Sequence, residues 1–139
     1  MSQIDNVKVM KRRLILDERG WFLKVITGLE DGIQSHVGEV YLTMGHPGQS
    51  KGGHYHLKAA EWFTIISGNA MLELADVETC QRKHFLLSLE EATTIFVPRN
   101  VAHIVRNVGD EDFILLAYTD QQYDSSDTIP YDFTIAKEA

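Results

Sequence analysis

The chain has 139 residues, 44% of them apolar and 24% charged, a globular composition with enough length to bury the core of one domain. Its 13 basic and 20 acidic residues leave a net charge of −7. That balance argues against nonspecific attachment to nucleic acid or to a membrane surface, both of which need a basic field, but it leaves room for a small anionic substrate held by a few placed cations.

No apolar run reaches transmembrane length, and no basic-then-apolar leader opens the chain. The single cysteine, Cys80, lies in a polar stretch with no activating pattern. It is read as structural, and a lone cysteine fits a reducing, cytoplasmic setting.

In chain order, short segments rich in β-branched and aromatic residues alternate with turn signals. Strands are expected near residues 7–16, 21–26, 40–44, 53–56, 62–66, 70–74, 83–87, 94–97, 103–105 and 113–118. The punctuation between them includes Asp17-Glu18-Arg19-Gly20, His46-Pro47-Gly48, Ser67-Gly68-Asn69 and Pro98-Arg99-Asn100. Residues 88–92 offer one helical turn at most, and no segment sustains a helical period. Short strands at this spacing predict a single all-β sandwich or barrel with no linker and no repeat.

The chemistry concentrates in two segments. The first contains Gly48, His54, His56, Glu61 and Gly68. Alternate residues of a strand share a face, so the two imidazoles point the same way, and Glu61 can return to that side after a short turn. The second contains Pro98, Asn100, His103 and Asn107, and brings a third imidazole on another strand.

Three imidazoles and a carboxylate form a plausible shell for a divalent metal with open positions. Zinc is the first expectation, with iron, nickel or manganese as alternatives that the spacing does not separate. The rival is a metal-free site in which the same histidines act as acid and base. One histidine alone would be read as a buried, hydrogen-bonded strand residue. His36, His46 and His84 lie outside the pattern and are read as surface or loop residues.

The first segment resembles the first cupin motif, G-x5-H-x-H-x3,4-E-x6-G, at every fixed position. The second resembles the second cupin motif, but Ala92 and Asn100 stand where that motif has glycine. Asn100 can still take the left-handed conformation that glycine would take. The resemblance implies an all-β cupin fold, a double-stranded β-helix or jelly-roll barrel.

Further segments narrow the likeness. Asp17-Glu18-Arg19-Gly20-Trp21-Phe22, Lys51-Gly52-Gly53-His54-Tyr55 and the tail from Ala117 to Phe133 resemble the dTDP-4-dehydrorhamnose 3,5-epimerases. The His-x-His spacing and the segment from His103 to Asp110 are similar to the C-terminal cupin domain of bifunctional capsular-polysaccharide enzymes. The dTDP-sugar 3,4-ketoisomerases are more distant cousins.

This resemblance implies an epimerase of a nucleotide-linked 4-keto-6-deoxy sugar for surface polysaccharide synthesis, with a 3,4-ketoisomerase or a non-catalytic metal-binding cupin as alternatives. His54 matches the epimerases' general base, and Arg19 and Lys51 match phosphate-binding arginines. Lys51 keeps the charge but lacks the bidentate fork. The epimerases' tyrosine acid aligns with Leu116, near Tyr118. A metal-bound His54 is not free to act as base, so Tyr55 or Tyr118 would then move the proton. A homodimer is also implied, with residues 7–16 as a strand lent to the partner.

Overall fold

A computed structural model describes residues 2–18, 20–23, 25–27, 29–30, 32 and 38–134. Two antiparallel five-stranded sheets face each other. In chain order the strands are β1 (Lys8–Lys11), β2 (Leu14–Asp17), β3 (Gly20–Leu23), β4 (Glu39–Gly45), β5 (Ser50–Tyr55) and β6 (Glu61–Ser67). They continue with β7 (Asn69–Asp76), β8 (Arg82–Ser88), β9 (Thr93–Val97), β10 (Val101–Asn107), β11 (Phe113–Thr119) and β12 (Ile129–Pro130).

One sheet has the order β1-β9-β6-β11-β4, the other β12-β5-β10-β7-β8, and β2 pairs with β3 in a separate two-stranded ribbon. This is a jelly-roll barrel of the cupin type. Residues 88–92 form a turn without a helix.

Alternation explains the core. Phe63, Ile65, Leu72, Leu74, Ile95, Val101, Val105, Phe113 and Leu115 take every second position on their strands and meet between the sheets. The intervening residues make two outer clusters. Trp62 and Tyr118 pack with Met10, Ile26 and Phe96 outside the first sheet. Ala75 and Ala102 pack with Tyr55, Tyr131 and Phe133 outside the second.

Residues 7–16, expected as one strand, are two. The break falls at Arg12-Arg13, where the Arg12 amide donates to the Ala92 carbonyl (2.8 Å) and its guanidinium reaches Glu30 (2.6 Å). The expectation that this whole segment crosses to a partner is corrected in part, because β1 pairs with β9 of its own chain, Lys8 opposite Phe96. The expected strand at 21–26 ends at Leu23.

Two glycine positions shape the barrel. Gly68 turns the β6–β7 hairpin with φ +78°, and a Cβ there would sit 2.4 Å from the Asp112 carbonyl oxygen. Gly52 and Gly53 both have positive φ (93° and 84°). They make a bulge against β10, where His103 faces His54 but Ile104 already faces Gly52. Asn100 takes the left-handed conformation expected of it, with φ 64°.

The N-terminal turn closes one end of the barrel through Asp76. Its carboxylate accepts from the Ile4 amide (2.9 Å), the Glu78 amide (2.9 Å), the Thr79 amide (3.0 Å) and the Ser2 hydroxyl. Burial raises its pKa, but these donors outweigh burial and hold the group below its ordinary 3.8. A depressed carboxylate stabilises the fold above its unfolded pKa, and that contribution fades as pH falls through the lower folded value. Acidification below pH 3.8 is therefore expected to lower the hydrogen-exchange protection factor of the Ile4 amide, relative to its intrinsic rate at the same pH, before the barrel unfolds. Unchanged protection there until global unfolding would refute this role.

Candidate active site

The bulge aims the site. Paired residues of neighbouring strands share a face, and Val105 opposite Lys51 and His103 opposite His54 both point inward. Lys51 and His54 differ by an odd number of positions, so a regular strand would send them to opposite sides. The extra residue at Gly53 brings both into the barrel.

His56 follows β5 on the same side as His54, Glu61 opens β6 and His103 sits within β10. The ring centroids of His54 lie 5.1 Å from His56 and 4.7 Å from His103, and His56 lies 5.6 Å from His103. The structure thus brings together all four side chains expected from the sequence.

Glu61 lies beneath the imidazoles. Its Oε1 is 3.2 Å from His56 Nε2 and 3.5 Å from His103 Nε2, and its Oε2 accepts from the Tyr41 hydroxyl at 2.8 Å. Burial pulls the Glu61 pKa up, but His56, His103 and Tyr41 outweigh it and hold the carboxyl ionised. Burial and then the Glu61 charge push the Tyr41 phenol well above its usual range, so it remains a donor.

The imidazoles differ. Burial drives His103 down to about 4. Burial, followed by the neighbouring His56, lowers His54. Burial also pulls His56 down, but the Glu61 and Asp127 contacts prevail and raise it. His56 is fixed by its other nitrogen, where Nδ1–H donates to the Asp127 carbonyl at 2.7 Å. The Asp127 carboxylate in turn accepts from the backbone amides of Leu57 (2.7 Å), Lys58 (3.2 Å) and Ala59 (3.3 Å).

Two cavities meet at this cluster. One of about 320 Å³ is lined by His54, His56, Glu61, Tyr41, Glu39 and residues between Thr119 and Thr128. Another of about 190 Å³ is lined by His54, His103, Tyr41, Lys51, Phe63 and Leu115. His54 and Tyr41 border both.

Other expected residues lie elsewhere. Tyr55, between the two histidines, faces the opposite side of β5 and packs near Tyr131 with ring centroids 6.5 Å apart. Tyr118 lies outside the other sheet against Trp62, centroids 5.3 Å apart. The expectation that either moves the proton is corrected: strand alternation turns both away from the imidazoles. Leu116 shares the face of Tyr118, whereas Leu115 and Ala117 enter the core. Arg19 and His36 lie outside the described residues. His46 contacts Asp112 at the surface and His84 is exposed.

Sequence reasoning missed Tyr41 and Asp127. Alternation alone leaves open which face of β4 is inward, and nothing local marks Asp127 as a partner of residues 57–59. Asn107, part of the second motif, is structural: its amide donates to the Gly45 and Glu111 carbonyls, both at 2.8 Å.

Residues 15–131 match the family described as the polysaccharide biosynthesis C-terminal domain. The chain belongs to this family. The spore coat polysaccharide biosynthesis protein SpsL of Bacillus subtilis is 26% identical over 125 residues, covering 86% of this chain and 82% of SpsL. A UDP-2-acetamido-2,6-β-L-arabino-hexul-4-ose reductase of Pseudomonas aeruginosa is 24% identical over 88% of this chain, which spans only 32% of that enzyme.

Among solved structures, a dTDP sugar isomerase from Desulfovibrio desulfuricans superposes with a TM-score of 0.83 at 18% identity, covering 99% of this chain and 96% of that one. The dTDP-6-deoxy-D-glucose-3,5-epimerase of Legionella pneumophila, solved with dTDP-4-keto-L-rhamnose, gives 0.83 at 17% identity, covering 95% of this chain and 76% of that one. The family thus shares its barrel with structures of dTDP-sugar isomerases and epimerases.

Proposed function

We propose that this family member is an isomerase of a nucleotide-linked 4-keto-6-deoxy sugar, epimerising C3 or C5, in surface polysaccharide synthesis. The observation that carries the reading is His54, an imidazole held neutral by burial at the junction of two cavities. The family description and SpsL support a place in polysaccharide synthesis, and the superposed dTDP-sugar isomerase and epimerase support the substrate class.

A C–H beside a carbonyl is acidic enough for a placed imidazole to remove. The C–H electrons pass into an enolate, and His54 takes the proton. Lys51, lining the same cavity as His54, supplies positive charge for the developing oxygen anion, and the Tyr41 hydroxyl is a nearby donor. Delivery of a solvent-derived proton to the opposite face of the enolate, with His54 releasing its own proton to solvent, gives the epimer. Incubation with dTDP- and UDP-linked 4-keto-6-deoxy sugars in D2O tests this. Deuterium at C3 or C5 is the expected result, and no uptake across the series sinks the proposal.

The donor set also fits a divalent cation, zinc first, with iron, nickel or manganese as alternatives. His54, His56 and His103 each offer a nitrogen, all within 4.8 Å of one another. Buried Glu61 Oε1 and His103 Nδ1 make no hydrogen bond of ordinary geometry, although the Val101 backbone lies close to the latter ring. The Asp127 carbonyl orients His56 as an outer partner orients a metal ligand. A bound ion would polarise the sugar carbonyl as a Lewis acid. Elemental analysis decides between the two assignments of His54: a stoichiometric metal makes it a ligand, and a metal-free active protein makes it the base.

Homodimerisation is part of the same proposal. Edge strand β4 keeps the outward side chains Val40, Leu42 and Met44 exposed at 62%, 62% and 43%, and the β2–β3 ribbon pairs with neither sheet. Light scattering is expected to give a dimer mass, reduced to the monomer by Leu42→Glu. A monomer at micromolar concentration would refute it. No described helix is long and apolar enough to cross a membrane, and a cytoplasmic site for the reaction follows from the nucleotide-sugar substrate.

A further inference from the structure

The cavity beside His54 and His56 is poor in positive charge. Glu39, Glu61, Asp124 and Asp127 line it, and among the described residues no lysine or arginine does. A diphosphate placed there would meet the negative charge of these acidic residues. The sugar-sized space therefore suits an uncharged, hydroxyl-bearing ring, and the charged part of the substrate needs a different wall.

Such a wall lies across a narrow partition. A trough of about 550 Å³ is lined by Lys8, Lys58 and Arg99, with Asn6 and Phe96 beside them. Gln121 borders both spaces. Ala60 and Asp120 tie the partition together: the Ala60 amide donates to the Asp120 side chain at Oδ1 (3.0 Å), and the Asp120 amide donates to the Ala60 carbonyl (3.2 Å).

Asp120 is the one acidic residue lining the trough among the described residues, and the Ala60 amide engages its carboxylate. Among the described residues none of the three cations forms an ion pair. Lys58 does lie close enough to Asp124 to help lower that carboxyl, yet in a chain of net charge −7 three cations around one concavity oppose the general trend.

We propose that this trough holds the diphosphate of the nucleotide-linked substrate, with the sugar passing over Gln121 into the acidic cavity. The inference rests on the isomerase reading above and adds to it the place of the charged arm. Arg99 supplies a planar fork for two phosphate oxygens, and Lys8 and Lys58 supply point charges. Lys51 is thereby left to the smaller cavity and the reacting end.

Calorimetric titration of the full chain with dTDP, UDP and inorganic pyrophosphate tests the inference. The wild type is expected to bind a nucleoside diphosphate with an affinity that falls as salt rises. The paired change Lys58→Ala with Arg99→Ala is expected to weaken it at least about tenfold. Lys58→Arg should retain most of the affinity, and Lys51→Ala should reduce turnover more than nucleotide binding. Thermal melts check that each variant is folded.

An unchanged Kd in the paired variant, a loss caused by Lys51→Ala alone, or no binding to the wild type overturns the proposal. The D2O assay separates it from the reading beneath. Deuterium uptake with a Kd indifferent to the trough leaves the isomerase standing without this site. Trough-dependent binding with no uptake keeps the nucleotide site and removes the isomerase.

Discussion

Changing His54 to Asn is expected to slow deuterium incorporation into the keto sugar by about 10²–10⁴-fold. Asparagine offers hydrogen bonds but cannot accept a proton from carbon. His54 is partly buried and borders both interior cavities, so the change removes the reacting group without emptying the core. NMR of the product in D2O reads the rate, and a melt within a few degrees of wild type shows that the fold survives. Chelation divides the causes. If chelator-treated wild type keeps its full rate, the loss in the variant belongs to proton transfer. If chelation reproduces the variant, the loss belongs to coordination. Wild-type exchange by His54→Asn would remove this residue from the mechanism.

Asp127→Ala carries the largest expected cost in stability. Three backbone amides, those of Leu57, Lys58 and Ala59, point at one buried carboxylate. Alanine leaves them without that acceptor in the connection between β5 and β6, where the Ala59 amide is buried and those of Leu57 and Lys58 are part-buried. An orphaned buried donor costs about 1–3 kcal/mol, and with one buried amide and two that water can partly reach, about 1–3 kcal/mol is the expectation for the set. The damage reaches the site, because the Asp127 carbonyl holds the His56 ring. Urea unfolding measures the loss, and Asp127→Asn should recover part of it through its remaining carbonyl oxygen. A change below about 0.5 kcal/mol would show that the connection does not depend on this acceptor.

These two residues differ in how far the sequence reveals them. His54 stands in a pattern of alternating imidazoles followed by a carboxylate, and such a pattern is local. Asp127 stands in an ordinary run, Asp124-Ser125-Ser126-Asp127, that reads as a polar turn. Its partners lie about seventy positions away, and no short-range rule connects them.

The all-β architecture and most of its strands follow from the chain's own spacing of β-branched residues and turn formers. So does the meeting of His54, His56, Glu61 and His103, because two motifs with those spacings belong to one kind of barrel. Strand boundaries near Arg12 and Leu23 do not follow, since their limits depend on which neighbour pairs with them.

The tyrosines show the same limit. Tyr55 and Tyr118 sit near the motif in sequence, yet period-two alternation sends each to an outer face, while Tyr41, distant from the motif, faces the imidazoles. The bulge at Gly52-Gly53 reverses that parity for Lys51 and brings it inward beside His54. Local order determines which side chains a strand can present together. Pairing between distant strands decides which face is inside, and one inserted residue can exchange the two.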